Sequence, residues 1–137
     1  NAAAAFYFSK DSLLHDLLVE MKYLHNKNAG YYLGKLMAYQ ILMAKRFETV
    51  DALIPLPLHP KKFAIRGYNQ AELICQGISE VWNKPIITNA VARTSFSETQ
   101  THRNRISRWQ NMNGIFSLVT PNANIHSQFI IYYGNPG

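Results

Sequence analysis

The 137-residue chain has a single cysteine, Cys75. One thiol excludes an internal disulfide framework and a four-cysteine zinc centre within this chain. Long apolar runs are missing too: none approaches the ~20 residues that a helix needs to cross a bilayer, so no membrane insertion is expected. The first eight residues lack a basic start followed by an apolar stretch, so the sequence shows no signal peptide and reads as cytoplasmic. Asn1 to Ala4 could be a tag remnant or the trimmed end of a longer chain. Charge is sparse at 16%, and acidic charge is sparser: 8 Asp and Glu against 14 Lys and Arg, a net +6. The last acidic residue is Glu98, and nothing charged follows Arg108. What is plentiful is apolar, 47% of the residues, enough for a core and too much for long disorder. The length fits one domain, taken as 1–137.

The basic excess is uneven. Residues 1–51 hold six basic and five acidic side chains, while residues 52–137 hold eight basic and three acidic, a balance of +5. Lys61, Lys62 and Arg66 form one cluster, and Arg93, Arg103, Arg105 and Arg108 form another. A solvated basic face is one reading. The other is an anion site, in which two arginine-bearing segments meet around phosphate and each guanidinium offers paired donors.

The spacing of Leu14, Leu17, Leu18, Met21 and Leu24 predicts an amphipathic helix over 9–25, capped by Ser9 or Asp11. Gly30 is read as an interruption before a second helix over 31–47. Asp51-Ala52-Leu53-Ile54-Pro55 is a short apolar run closed by proline and reads as a buried strand. Pro55, Pro57 and Pro60 forbid a helix through 54–60. A third helix is predicted over 67–82, with Ala71, Ile74, Cys75 and Ile78 inward, which makes Cys75 a packing residue rather than a nucleophile. Strands follow at Pro85–Ile87, continued by 90–92, then near 115–119 and at 129–133, with a polar loop over 93–102 and a short helix near 102–112. Short apolar strands separated by helices argue for α/β architecture with a parallel sheet. Ligands in such sheets bind beyond the carboxyl ends of the strands. The loops at 55–66 and 93–104 leave from such ends, which would put both basic clusters on one edge.

Ile54-Pro55-Leu56-Pro57-Leu58-His59-Pro60-Lys61-Lys62, followed by Arg66-Gly67-Tyr68-Asn69-Gln70-Ala71, strongly resembles the ComF family of competence-associated, phosphoribosyltransferase-like proteins. Arg93, Gln100, Arg108, Asn111, Gly114 and Phe116 fall at that family's spacing, with Ser97 in place of its usual threonine, and Met21-Lys22-Tyr23 is similar to its first-helix segment. The resemblance covers about residues 5–118. It implies a type I phosphoribosyltransferase fold, a parallel sheet flanked by helices, binding phosphoribosyl pyrophosphate with magnesium. It also implies a relation to amidophosphoribosyltransferases and nucleotide metabolism, and a link to DNA uptake. This fold often forms homodimers. By the same resemblance, the loop at 57–66 meets pyrophosphate and the segment from Arg93 to Arg108 closes over it.

The residues themselves suit that chemistry. Lys61, Lys62, Arg66, Arg93 and Arg108 are cations for a leaving pyrophosphate. Asn69 and Gln70 begin a helix whose free N–H groups suit an anion, although Asn69 is equally a helix cap and Gln70 an exposed side chain. Gln100 joins this set through the family spacing. Tyr68 is open to either base stacking or core packing, and His59, between two prolines, is read as structural before catalytic. No residue is assigned as catalytic and none as a metal ligand.

The resemblance also breaks. The family continues with paired acidic residues and a Thr/Gly-rich turn that hold the ribose and its 5-phosphate; here residues 99–137 contain no acid, and the strand at 129–133 runs into Gly134-Asn135-Pro136-Gly137. The zinc ribbon that often precedes the domain is also missing. A chain incomplete at both ends accounts for this, as does a member that has lost sugar-phosphate chemistry. Either way no turnover of phosphoribosyl pyrophosphate is expected from these residues alone. The competing function is a non-catalytic basic module for single-stranded DNA or the DNA-uptake machinery. Arginines interleaved with Tyr68, Phe96 and Trp109 motivate it.

Overall fold

The computed structural model describes residues 12–93, 116–119 and 128–131. Helix α1 spans Leu13–Tyr23; its N-cap is Ser12, whose Oγ accepts from the His15 N–H at 3.3 Å. The expected caps, Ser9 and Asp11, lie outside the described residues. His25, in the left-handed region at φ 55°, and Asn26, whose Nδ2 donates to Glu20 Oε2 at 2.6 Å, turn the chain into α2, Lys27–Ala44. The expected break at Gly30 is corrected here, because the helix runs straight through it. A Cβ on Gly30 would come within 2.7 Å of Met21 Sδ and 3.1 Å of Leu73 Cβ. The glycine marks a close approach between helices rather than an end.

Strand β1, Ala52–Pro55, follows and is buried along its whole length. Helix α3 covers Pro60–Arg66, with Pro60 in the first turn, where a missing N–H costs nothing. The supposed loop at 55–66 is therefore half helix. Gly67, at φ 78°, caps α3 in the left-handed conformation that glycine adopts without steric cost. Helix α4, Gln70–Trp82, comes next, starting later than 67 because Gly67 to Asn69 form the connector. Three short strands complete the described chain: β2 Val91–Arg93, β3 Phe116–Leu118 and β4 Gln128–Ile131.

β1 pairs in parallel with β4, in the register Ala52–Gln128 to Pro55–Ile131. On its other side Leu53 makes a parallel bridge to Ile86, donating to the Pro85 carbonyl and accepting from the Ile87 N–H, each at 2.9 Å. The expected strand at 85–87 is reduced to this bridge. β2 and β3 form an antiparallel pair, Val91–Leu118 to Arg93–Phe116. Alternation along β1 divides the interior. Leu53 belongs to the main core with Met21, Leu33, Ala38, Ile41, Tyr68, Ile74, Cys75 and Ile78, drawn from α1, α2 and α4. Ile54 belongs to a second cluster with Ala90 and Val91, flanked by Leu56 and Ile87. Leu53, Ile54 and Ile78 have no exposed surface, and each contributes roughly 1.5–3 kcal/mol by burial.

α2 and α4 cross at two facing glycines. A Cβ on Gly34 would overlap the Ile74 carbonyl oxygen and lie 3.0 Å from Gly77 Cα. A Cβ on Gly77 would overlap the Tyr31 carbonyl oxygen and lie 2.9 Å from Gly34 Cα. The two backbones touch, and the hydrogens that replace those Cβ atoms face carbonyl oxygens. Lys35 and Glu80 close the rim of this crossing at 3.1 Å.

Candidate anion-binding site

The connector between β1 and α4 is held at both ends by one side chain. Asn69 Oδ1 accepts from the Ala71 N–H at 3.1 Å, capping α4, while its Nδ2 donates to the Leu56 carbonyl at 2.9 Å. The amide is thus committed to fixing the segment 57–68, which carries the cations. His59 is the N-cap of α3, its Nδ1 accepting from the Lys61 N–H at 3.2 Å. Its structural reading has a concrete basis in that bond. Gln70, expected on the surface, is 2% exposed, and its Nε2 has no hydrogen-bond partner among the described residues.

α3 lies along the surface with no buried residue. Lys61 is exposed, whereas Lys62 and Arg66 are half-buried. Among the described residues no carboxylate pairs with Lys62 or Arg66. Arg93 comes from the far end of β2, two residues after Val91, which packs with Ile54 and Leu56 at the start of the same connector. Its charge is felt there. The Lys62 pKa is lowered by desolvation first, then by Arg93 and Arg66. The His59 pKa is lowered by partial desolvation, then by Arg93, Lys61 and Lys62. Arg66 and Arg93, 27 positions apart in the chain, thus both bear electrostatically on Lys62. Gln100 and Arg108 lie outside the described residues, as do Phe96 and Trp109.

Sequence reasoning missed one cation. Lys22, in the last turn of α1, lines a cleft of about 420 Å³ together with Tyr23, His25, Lys62, Ile65 and Arg66. Desolvation, followed by repulsion from Arg66 and Lys62, brings the Lys22 pKa down to about 8. Only the family-like Met21-Lys22-Tyr23 segment pointed to it. The tether is Tyr68, whose buried hydroxyl donates to the Met21 carbonyl and whose ring lies 5.5 Å beneath Lys27 Nζ. Tyr68 is 7% exposed, so it belongs to the core and does not present a stacking face. Cys75 is fully buried, its thiol pushed up to about 12 by desolvation and then by Glu72, which leaves it without nucleophilic character near neutral pH.

With this geometry in place, sequence relatives become informative. The DNA utilization protein YhgH of Salmonella typhimurium is 26% identical over 117 residues, covering 80% of this chain and 50% of the relative. The Escherichia coli K12 protein of the same name is 27% identical over 111 residues, or 79% and 49% of the two chains. Competence protein F of Haemophilus influenzae is 35% identical over 90 residues, 64% of this chain and 39% of that one. The chain is a homologue of these ComF-related proteins. It spans about half the length of the YhgH proteins it matches. No family model matches it. No solved structure matches it either. Among the described residues no helix of this ComF-related chain is long and apolar enough to cross a membrane.

Proposed function

We propose that this chain contributes the diphosphate-binding part of a phosphoribosyltransferase-like protein of the type I α/β class, serving DNA uptake or utilisation. What supports the reading is that Arg66 and Arg93 both act electrostatically on Lys62, in the helix that follows β1, while Val91 of the Arg93 strand packs on Ile54 and Leu56. Lys61, Lys62, Arg66 and Arg93 would neutralise a pyrophosphate group, and Asn69 fixes the connector that presents the first three. A diphosphate is favoured over a lone carboxylate because it spreads two or more charges over several oxygens, matching paired guanidinium donors. The names of the homologues, DNA utilization protein and competence protein, support the cellular setting. Magnesium would come with phosphoribosyl pyrophosphate.

Calorimetry of the chain with pyrophosphate and with phosphoribosyl pyrophosphate, with and without magnesium, tests the reading. Binding that falls at least tenfold in Arg93→Gln is expected. Absence of binding to both ligands, or affinity unchanged in Arg93→Gln, defeats it. A second reading, a surface for single-stranded DNA, draws on exposed Tyr23, Phe63 and Ile65 beside Lys22, Lys62 and Arg66. It requires affinity for an oligonucleotide that drops steeply with added salt.

A further inference from the structure

We propose that the cleft between the C-terminal end of α1 and α3 takes a dianionic phosphate monoester, held by Lys22 together with Lys62 and Arg66, with the ester's organic part against Tyr23 and Ile65. It shares Lys62 and Arg66 with the diphosphate reading and adds Lys22 on the α1 side, where that reading adds Lys61 and Arg93.

Four observations converge on this assignment. Lys22 comes from α1 and Lys62 and Arg66 from α3, about forty positions later, yet all three line one cleft with no carboxylate among its described lining residues. A volume near 420 Å³ exceeds what a bare phosphate fills and falls within the range of small-ligand sites, roughly 300–1,000 Å³. Tyr23 at 68% and Ile65 at 78% exposure offer an aromatic and an aliphatic wall beside the cations. The end of α1 is pinned through the residue before Lys22, since the Tyr68 hydroxyl binds the Met21 carbonyl, so the three cations are held ready rather than gathered by the ligand.

A plainer reading is that Lys22 and Arg66, each in the last turn of a helix, simply complement the negative helix ends. That attraction favours the charged lysine by about 0.3–1 kcal/mol and would raise its pKa. Desolvation and the neighbouring Arg66 and Lys62 push the Lys22 pKa the other way, and the helix end gives no reason for three cations from two helices to line one cleft. Among the described residues that line the cleft, the charged and titratable groups beside Lys22 are Lys62 and Arg66 from α3, with Tyr23 and His25 from its own stretch of chain. A phosphate dianion relieves that repulsion. A phosphodiester brings a single charge, half as much.

The test uses the full chain and calorimetry at low salt. The probes are adenosine 5′-monophosphate, adenosine, inorganic phosphate, pyrophosphate, and a short oligonucleotide with either a 5′-phosphate or a 5′-hydroxyl end. The monophosphate is expected to bind and adenosine not to. Lys22→Gln should weaken the monophosphate at least tenfold, Lys22→Arg should restore most of it, and pyrophosphate should lose clearly less than the monophosphate in Lys22→Gln, with an unchanged circular dichroism spectrum reporting that the variant is folded. Inorganic phosphate binding as tightly as the monophosphate would overturn the walls assigned to Tyr23 and Ile65. A free nucleotide and a phosphorylated strand end are distinguished by whether the 5′-phosphorylated oligonucleotide exceeds the monophosphate in affinity. Unchanged monophosphate affinity in Lys22→Gln overturns the site. So does a 5′-hydroxyl oligonucleotide that binds as well as the phosphorylated one, or an equal loss for pyrophosphate in Lys22→Gln. A chain that binds the monophosphate but not pyrophosphate keeps this site and defeats only the diphosphate reading.

Discussion

Replacing Gly34 by alanine tests the helix crossing on which the core is built. The new methyl group would overlap the Ile74 carbonyl oxygen and press on Gly77 Cα at 3.0 Å, and both neighbours are backbone. No side chain can swing aside, so α4 must move by several tenths of an ångström, and Ile74, Cys75 and Ile78 must move with it. Overpacking costs about 1–3 kcal/mol, and a deep overlap with backbone that cannot swing aside puts this case at the upper end, about 2–3 kcal/mol. Alanine recovers up to about 1 kcal/mol of helix propensity over glycine, which leaves a net loss of roughly 1–2 kcal/mol. For a chain of this size that lowers Tm by about 3–10 °C. Gly77→Ala should behave alike, and because one displacement relieves both overlaps, the double variant should lose less than the sum. Thermal and urea denaturation followed by circular dichroism provide the measurement. A Gly34→Ala protein as stable as its parent, or strict additivity in the double variant, would refute the backbone contact.

Three further outcomes follow from the same structure. Lys22 in the folded chain releases its proton near pH 8 against 10.5 for an ordinary lysine, so between those values the unfolded chain binds more protons and stability rises with pH; urea titrations should show this rise, and Lys22→Gln should flatten it. Asn69→Ala removes a cap and the tie to Leu56, a loss of about 1–2 kcal/mol, and Asn69→Asp should recover the cap alone, as read by denaturant midpoints. Cys75, with its thiol pushed up to about 12, should resist a thiol reagent at pH 8 in the native protein and react fully in denaturant; fast native labelling would contradict its burial.

Much of this was legible in the residues. Proline closed β1 after the three-residue apolar run Ala52-Leu53-Ile54, and the period of Ala71, Ile74, Cys75 and Ile78 gave the buried face of α4. What escaped depends on tertiary contact. Gly30 in isolation reads as a breaker, because its propensity is poor; only the proximity of Met21 and Leu73 explains it inside a helix. Gln70 looked like a surface residue because glutamine usually is one, and its burial comes from packing that no local pattern encodes. Lys22 could not be placed beside Arg66 without knowing that Tyr68 reaches back to α1.

The parallel pairing of β1 with β4 has a consequence for synthesis. Residues 52–55 leave the ribosome more than seventy positions before residues 128–131, so the helices can assemble against Leu53 while the β4 flank of the strand still lacks its neighbour. That interval leaves a row of backbone donors and acceptors open to another nascent chain. Slower elongation downstream of codon 55 should therefore lengthen a vulnerable window in cells, and aggregation during expression should grow with it.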